Sequence, residues 1–276
     1  MDIKILITGA GGQVGRELVD LCVVKGFKFT AYNSSQLDIT EGDKVMSLLS
    51  RDQPTHVINA AAYTAVNKAE DEPEKAYAVN AKGSKNIALA CKKIGAKLIH
   101  LSTDYVFDGQ KNGDYTVDDE PNPQSVYGLS KLQGERLISE TLDQYFILRV
   151  SWVFGKYGNN FVKTMLTLAS ERDEVSVVND QYGAPTPADR IAECILSTEV
   201  LNQLKGLDHL ESNPKVSWFQ FAKFIFNVKK INIKVNAIAS DEYPTKAVYP
   251  NNSKLSSINF SINWKSRIQV LGDNIL

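Results

Sequence analysis

The sequence has few of the features that mark secreted, membrane-spanning or nucleic-acid-binding proteins. Its 276 residues include only three cysteines, Cys22, Cys91 and Cys194. Because this number is odd and the spacing is wide, we expect no disulfide framework and a reducing, cytoplasmic setting. No stretch approaches the ~18 uninterrupted apolar residues of a membrane span, and we expect no signal peptide. The formal net charge is only −1, so we predict no nucleic-acid or membrane partner.

Potential metal ligands are also scarce. The three histidines, His56, His100 and His209, are scattered singly along the chain. Such a distribution lacks the clustered ligands of a protein metal site. We therefore predict no metal, and we interpret His100 as a core residue at the end of a strand.

Strand-like and helix-like segments alternate over the first 150 residues, as run length, β-branched content and Gly or Pro breaks indicate. Predicted strands are Lys4–Thr8, Phe27–Tyr32, His56–Asn59, Lys97–Leu101 and Phe146–Val150. Predicted helices are Gln13–Lys25, Glu41–Arg51, Pro73–Ile94 and Val126–Glu140. This alternation predicts an α/β fold, a Rossmann-type doubly wound parallel sheet with helices on both faces.

The alternation loosens after residue 152. We predict helices over Asn160–Glu171 and Ser217–Val228 and a strand over Val175–Val178. A further helix should run to about Val200, with Thr186 as its hydroxyl cap and Pro187 at its first position. The aromatic residues near Trp218 favour core packing, with a dimer surface as the alternative. We therefore predict a dinucleotide-binding domain over 1–151. Residues 152–276 should form mainly a smaller, closely packed substrate-binding lobe, with some segments returning to the first domain.

A glycine-rich loop follows the first predicted strand. Gly9, Gly12 and Gly15 have the spacing G-x-x-G-x-x-G and lead directly into the first helix. A pyrophosphate needs this combination of a tight turn, no Cβ in its way and free N–H groups at a helix start. A glycine-rich turn without a ligand is the alternative. The position after the first strand favours a dinucleotide.

The residues after the second strand leave the choice of nicotinamide cofactor open. This strand ends in Tyr32-Asn33-Ser34-Ser35, with neither an acid for a ribose 2′-hydroxyl nor an arginine for a 2′-phosphate. Asp38 is the nearest carboxylate, and its spacing suits the adenine edge or, equally, a cap for the helix near Thr40. The cofactor is NADPH or NADH.

Tyr127 and Lys131 lie four residues apart, on one face of a predicted helix. A nearby ammonium lowers the pKa of a phenol, which ordinarily lies near 10, so the pair suits proton transfer to an alkoxide. The spacing alone also fits an ordinary surface pair. Placement after the fourth strand favours the site beside the nicotinamide. Thr103 ends that strand, where its hydroxyl could polarise a ketone or simply cap the loop.

Together these residues resemble the extended short-chain dehydrogenase/reductase superfamily and, within it, the dTDP-4-dehydrorhamnose reductase family. The run Ser102 to Gly109, Ser-Thr-Asp-Tyr-Val-Phe-Asp-Gly, is the most specific match. Further matches cover most of the first 190 residues: Gly12–Gly15, Leu37–Thr40, Asn59–Val66, Tyr127–Glu135, Arg149–Gly155, Asn160–Val162 and Asp180–Thr186.

The resemblance implies roles for individual residues. The catalytic residues would be Thr103, Tyr127 and Lys131, and Thr103, Asp104 and Trp152 would contact a nucleotide sugar. The dinucleotide would be bound by Gly9, Gly12, Gln13, Val14, Asp38, Ile39, Ala61, Ala62, Tyr63, Tyr127 and Lys131. The implied reaction is reduction of the C4 ketone of dTDP-4-dehydro-β-L-rhamnose by NADPH or NADH. The oligomeric state, including a homodimer, stays open.

Three alternatives are weighed against this reductase. A 4,6-dehydratase would need an Asp-Glu pair where this chain has Asp104-Tyr105. A 4-epimerase typically has Val-Tyr-Gly where Val106-Phe107-Asp108 stands here. A non-catalytic dinucleotide-binding regulatory subunit would not need the intact Thr103, Tyr127 and Lys131. Reduction is favoured over all three.

The chain departs from the family pattern at several positions. Asn67 replaces an aspartate, and Tyr249 and Lys254 stand where arginines are expected. Asn213-Pro214-Lys215 replaces an Asn-x-Gly before the Ser-Trp helix. These departures leave the cofactor and hydride chemistry intact, and a reductase or epimerase of another nucleotide sugar is the alternative.

Overall fold

The computed structural model describes residues 3–202 and 205–270. Its strands are β1 (Lys4–Thr8), β2 (Lys28–Tyr32), β3 (His56–Asn59), β4 (Lys97–Thr103), β5 (Tyr145–Val150), β6 (Val153–Phe154), β7 (Glu174–Val178), β8 (Tyr182–Gly183), β9 (Thr186–Pro187), β10 (Lys205–His209), β11 (Glu211–Asn213), β12 (Val216–Ser217), β13 (Lys234–Ile238) and β14 (Ser261–Asn263). The α-helices are α1 (Gln13–Lys25), α2 (Gly42–Asp52), α3 (Val66–Ala69), α4 (Pro73–Tyr77), α5 (Ser84–Ile94), α6 (Val126–Thr141), α7 (Phe161–Glu171), α8 (Ala188–Ile195), α9 (Thr198–Asn202), α10 (Trp218–Lys229) and α11 (Lys265–Val270).

The main sheet contains six parallel strands in the order β10-β5-β4-β3-β1-β2. The α/β doubly wound fold is therefore confirmed. Strand β1 is flanked by β2 on one side and β3 on the other, so connections leave it in opposite directions. The loops diverge at this switch point and open a crevice at the carboxyl ends of the strands, where ligands bind in such sheets.

Successive side chains of the sheet strands contribute alternately to two hydrophobic layers. Ile5 and Ile7 of β1 pack with α1, α8 and α9 on one face. Leu6 lies on the other face, with α2, α5 and the carboxyl-terminal half of α6. Because successive strand residues point to opposite faces, the almost wholly apolar strands are explained by burial on both sides.

The carboxyl-terminal part builds a smaller core of its own. Helices α7, α10 and α11 and the strand pair β7–β13 enclose a cluster around Phe154, Phe221 and Trp264. Ser217 caps α10 and Gln220 completes a capping box. The aromatic residues Phe221 and Phe226 are buried there, as core packing predicts. Strand β10 returns to the main sheet beside β5. The division of the chain into two parts at residue 151 stays a prediction. The first and last residues of the two predicted parts, 1–2 and 271–276, lie outside the described ranges.

Two of the predicted helices differ from the structure. The segment Pro73–Ile94 is helical, but a π-helical stretch at Ala78–Gly83 separates α4 from α5. The prediction that Thr186 caps a helix that runs to Val200 is wrong. Thr186 pairs with Val153 in the β6–β9 ladder and its hydroxyl donates to Ala184 O, so α8 begins at Ala188 and ends at Ile195.

None of the helices within residues 3–202 and 205–270 combines the length and the apolar character that a membrane span requires. The longest, α6, has 16 residues, fewer than the roughly 20 that span a bilayer.

Candidate active site

The structure gathers the predicted site residues at the carboxyl edge of the main sheet. The glycine loop follows β1, Ala61–Tyr63 follows β3, Thr103 and Asp104 close β4, and Trp152 follows β5. Helix α6 packs against β4 and β5 and carries Tyr127 and Lys131. Asp38 and Ile39 lie in the loop after β2.

The glycine loop is closed by contacts that exclude side chains. Gly9 has a φ of +68° and a Cβ there would lie 2.5 Å from Ala61 N. A Cβ on Gly15 would lie 2.2 Å from Gly9 O. The first turn of α1 begins after Gly12, which offers no side-chain cap. Its leading N–H groups therefore face the loop and suit a pyrophosphate.

Replacing Gly15 with alanine should abolish tight dinucleotide binding, because the new methyl group forces Gly9 O and the helix start apart. We expect the Kd for NADPH to rise at least about tenfold, measured by nicotinamide fluorescence. The matched control is Gly113→Ala, whose added Cβ meets nothing closer than Lys111 Cε at 3.7 Å. Equal affinities in two folded variants would contradict a phosphate-binding role for this loop.

The loop after β2 carries no formal charge at its tip. Asn33 Oδ1 accepts from Ser35 N and Gln36 N at 3.0 and 3.1 Å. Asp38 Oδ1 accepts from both N and Oγ1 of Thr40, at 2.9 and 2.8 Å. Asp38 thus caps a local turn at Thr40, while α2 begins later, after Glu41. Its role toward a cofactor stays a prediction.

The π-helical stretch holds the loop after β3. Asn80 Oδ1 accepts from Tyr63 N at 2.8 Å, and its Nδ2 donates to Tyr63 O at 3.1 Å and to Ser130 Oγ at 3.0 Å. A Cβ on Gly134 would lie 2.2 Å from Asn80 O, so α6 packs directly on this widened turn. Asn80 therefore fixes the predicted cofactor loop Ala61–Tyr63 against the helix that carries Tyr127, a role that sequence reasoning missed.

Tyr127 and Thr103 meet inside the site. Both side chains are buried. Burial raises the pKa of Tyr127 to about 12, while a hydrogen bond with the Thr103 hydroxyl acts in the opposite direction. The prediction that Lys131 lowers this pKa is wrong for this structure, because the Lys131 ammonium points elsewhere. A phenol with a raised pKa keeps its proton at neutral pH, as a proton donor must.

Lys131 is held from the sheet side. Its Nζ donates to Leu101 O at 2.6 Å and lies 3.2 Å from His100 Nε2. Burial lowers the pKa of Lys131 to about 8, while Glu135 acts in the opposite direction. The pKa of His100 is held well below its usual value, first by burial and then by Lys131. His100 is a core residue, as predicted, but it lies in the middle of β4 and not at a strand end, and its ring contacts Lys131.

Asp104 adds a buried carboxyl to the same corner. Its Oδ1 accepts from Thr103 Oγ1 at 3.1 Å. Its Oδ2 makes no hydrogen bond of good geometry with any described group, and neither does the Ser253 hydroxyl, which approaches the carboxyl. Burial raises the pKa of Asp104 to about 7, against the opposing effect of Ser253 and Thr103. Near neutral pH this group can therefore carry or release a proton.

A row of tyrosines connects this corner to a large cleft. The Tyr105 ring is edge-on to Tyr127 at 5.6 Å and to Tyr249 at 5.7 Å between centroids. Tyr249 and Asn67, two departures from the family pattern, line a cleft of about 1270 Å³ whose lining, Asn67 apart, comes from residues 161–249. Thr103 and Tyr127 are not among the residues that line this cleft, and the Tyr105 ring lies between Tyr127 and the cleft-lining Tyr249.

Trp152 occupies a constrained position beside the cleft. It has a φ of +44°, and its ring stacks on Trp218 with centroids 3.4 Å apart and planes 5° from parallel. A Cβ on Gly183 would lie 2.5 Å from Trp152 Cε2. The predicted sugar contact therefore sits in an aromatic stack whose other member, Trp218, lines the cleft.

The remaining departures lie away from the tyrosine row. Lys254 is fully buried, and its Nζ donates to Leu255 O at 2.8 Å and Glu211 Oε1 at 3.3 Å. Pro214 O accepts from Trp264 Nε1 at 2.8 Å. These residues support the lobe. Within residues 3–202 and 205–270, no cluster of His, Cys, Asp or Glu side chains could hold a metal ion.

Comparison with known proteins places the whole chain in one group. Residues 3–269 match the family described as RmlD substrate binding domain. The dTDP-4-dehydrorhamnose reductase of Aggregatibacter actinomycetemcomitans is 46% identical over 266 residues, 91% of this chain and 90% of that protein. The protein of the same name from Escherichia coli K12 is 39% identical over 275 residues, 95% and 92% of the two chains.

A solved structure agrees over nearly the full length. The dTDP-4-dehydrorhamnose reductase of Bacillus anthracis, crystallised with NADP, superposes with a TM-score of 0.94 and 36% identity. The match covers 98% of this chain and 99% of that one.

Proposed function

We propose an activity and a site for this chain on the premise that it belongs to the dTDP-4-dehydrorhamnose reductase family, whose RmlD substrate binding domain model it matches. It is an NAD(P)H-dependent oxidoreductase that reduces the C4 ketone of dTDP-4-dehydro-β-L-rhamnose to dTDP-β-L-rhamnose. The observation that supports the site assignment is the contact of Tyr127 with the Thr103 hydroxyl at the carboxyl edge of the sheet, with Lys131 one turn further along α6.

The residues present fit a nicotinamide dinucleotide. The glycine loop is a cradle that a Cβ at Gly9 or Gly15 would fill, and the start of α1 offers backbone N–H groups to the pyrophosphate. Gly12, Gln13 and Val14 would hold the phosphates, and Asp38, Ile39 and Ala61–Tyr63 the nucleoside parts. When bound, the cofactor supplies the hydride. The neutral tip at Asn33 supports use of both NADPH and NADH.

The chain's own residues supply and direct the proton. Tyr127 donates its phenolic proton to the oxygen at sugar C4, because its raised pKa keeps it protonated until the oxygen becomes strongly basic. Thr103 orients this phenol by accepting its hydrogen bond, and the Thr103 hydroxyl, which donates to Asp104 Oδ1 in this structure, turns to the carbonyl to polarise it. Lys131, fixed by Leu101 O, binds the cofactor ribose.

Substrate recognition is proposed for the cleft and for Asp104 and Trp152. Asp104 has a free buried oxygen, Oδ2, that can accept from a sugar hydroxyl. Trp152 and Trp218 present an apolar stack to the sugar nucleotide. The neutral Asn67 and Tyr249, in place of two charged residues, line the same cleft, so the nucleotide or sugar preference is the part of the proposal that needs a direct test.

The test is oxidation of NADPH and NADH with a panel of nucleotide-sugar ketones, followed by the absorbance of the reduced nicotinamide. We expect turnover with dTDP-4-dehydro-β-L-rhamnose and both cofactors. Turnover only with another nucleotide sugar would overturn the proposed substrate but leave the assignment as a reductase in place. Tight dinucleotide binding without turnover of any ketone would overturn the proposed enzymatic activity and favour a regulatory subunit.

Asp104→Asn should raise the free energy of unfolding at alkaline pH and lower the activity. The folded-state pKa of Asp104 is raised from 3.8 to about 7, so its contribution to stability is present below the unfolded pKa and is lost as pH rises through about 7. The variant should therefore gain about 1–3 kcal/mol in free energy of unfolding at about pH 8 relative to wild type, and about none at pH 3.5.

Urea unfolding at the two pH values measures this gain. The exposed Asp118→Asn variant is the matched control and should change little at either pH. A loss of stability at the higher pH in Asp104→Asn would contradict a buried carboxyl with a raised pKa.

A cytoplasmic location and a homodimer remain predictions, as does the absence of a nucleic-acid partner. Cys22 and Cys91 are buried free thiols and Cys194 is a free thiol, which supports a reducing compartment.

A further inference from the structure

A row of four buried polar side chains runs from the first strand to Lys131. Strand register sets Thr8 opposite Asn59 and Asn59 opposite His100. Thr8 Oγ1 donates to Asn59 Oδ1 at 2.7 Å, Asn59 Nδ2 lies 3.0 Å from His100 Nδ1, and His100 Nε2 lies 3.2 Å from Lys131 Nζ. All four residues are shielded from solvent, so their hydrogen bonds must be made within the protein.

The backbone fixes the polarity of this row. Ala61 N donates to Asn59 Oδ1 at 3.2 Å, and a backbone N–H can only donate. The amide oxygen of Asn59 must therefore face Ala61 and Thr8, which turns its Nδ2 donor toward His100. With Nδ2 donating, His100 Nδ1 must accept.

This polarity conflicts with a charged Lys131. A neutral imidazole that accepts at Nδ1 carries its proton on Nε2, where it points at Lys131 Nζ. An ammonium group has three donors and no acceptor, so two donors would then face each other. The conflict is relieved either when Lys131 is a neutral amine or when His100 moves its proton to Nδ1 and the Asn59 amide gives up its bond from Ala61.

The other charged groups around the row do not remove this conflict. Glu135, one turn beyond Lys131 on α6, makes two hydrogen bonds with Arg149 of β5, at 2.9 and 2.6 Å. Tyr127 precedes Lys131 by one turn and is neutral at its raised pKa. From the π-helical side the neighbours are the neutral Asn80 and Ser130. The burial that lowers the pKa of Lys131 brings its charge change close to neutral pH.

We propose that His100 is a positioning residue for the reaction: its tautomer is coupled to the charge of Lys131, and the Ala61 amide, acting through Asn59, favours the tautomer that matches a neutral Lys131. The inference rests on the proposed role of Lys131. Ala61 belongs to the predicted cofactor loop, so the same amide joins the dinucleotide cradle to the proton-handling end of the site.

Imidazole ¹⁵N NMR of the full-length protein tests the coupling without substrate or cofactor. The chain has only three histidines, and His100→Gln identifies the signal. We expect the wild-type His100 proton to be on Nδ1 while Lys131 is charged and to move to Nε2 as Lys131 titrates, at about pH 8. In Lys131→Met it should stay on Nε2 throughout. A single His100 tautomer in wild type, or the same switch in Lys131→Met, would overturn the proposal.

The kinetic arm separates this role from mere packing. The amide introduced by His100→Gln can turn its oxygen toward an ammonium, so the basic limb of the kcat profile should move up by about one pH unit. His56→Gln changes another buried histidine, held by Leu201 O at the far end of β3, and should leave the limb in place. An unmoved limb in His100→Gln also overturns the proposal. Because the NMR readout needs no turnover, failure of the proposed reaction would be recognised separately.

Discussion

Tyr127→Phe should lower kcat by roughly 10²–10⁴-fold while leaving the Kd for NADPH within about twofold of wild type. The loss is expected because the phenol is the proton donor to the C4 oxygen, and phenylalanine keeps its ring and packing. The ring lies edge-on to Tyr105, a contact that the variant retains. Steady-state rates with the sugar ketone and fluorescence titration of the dinucleotide separate the two parameters.

The control for this loss is Tyr115→Phe. Tyr115 is also buried, and its hydroxyl also hydrogen-bonds, donating to Asp108 Oδ1 at 2.8 Å. Its removal should cost some stability but keep kcat within about threefold of wild type. Near-normal turnover in Tyr127→Phe, or an equal loss in both variants, would remove Tyr127 from the role of acid.

Arg149→Met should lower the free energy of unfolding by about 3–5 kcal/mol, because it leaves the Glu135 carboxylate buried and without its cation. Arg149 Nε and NH2 meet the two carboxylate oxygens at 2.9 and 2.6 Å, and the two side chains are only 3% and 5% exposed. The pair ties α6 to β5. Since α6 carries Tyr127 and Lys131, activity should fall at temperatures well below those that affect the wild type.

The double variant Glu135→Leu with Arg149→Met distinguishes the cause. With both charges absent no uncompensated carboxylate remains, so urea unfolding should show recovery of most of the lost stability. If the double variant is as unstable as the single one, the loss comes from packing of the Arg149 side chain, which also lies over the Phe107 ring at 5.1 Å. A single variant within about 1 kcal/mol of wild type would contradict the account of a buried ion pair.

Much of the sheet could be predicted because its strands are buried on both faces. The bounds of β1, α1 and β3 match the sequence prediction, since apolar runs and glycine stops are local signals. The π-helical stretch at Ala78–Gly83 could not be predicted, because its cause is tertiary: Asn80 bonds the Tyr63 backbone and α6 packs closely on it. Thr186 was mistaken for a cap because strand pairing with Val153 leaves no local trace.

The site shows the same division. The spacing of Tyr127 and Lys131 and the position of Thr103 are readable from the sequence because they belong to one helix and one strand end. The direction in which the Tyr127 pKa is shifted cannot be read from the sequence, because it depends on burial. Asn59 and His100 are 41 residues apart and become neighbours only through the register of β3 and β4, so no motif could indicate the row that ends at Lys131.

The most direct test of the central claim is the fate of the transferred hydrogen. The wild-type protein would be given NADPH deuterated at the transferring position of the nicotinamide, together with dTDP-4-dehydro-β-L-rhamnose, and the product examined by proton NMR. The account predicts deuterium at sugar C4, in a single configuration, as the cofactor is oxidised. A product without deuterium at C4, or oxidation of the cofactor with no change in the sugar, would contradict it.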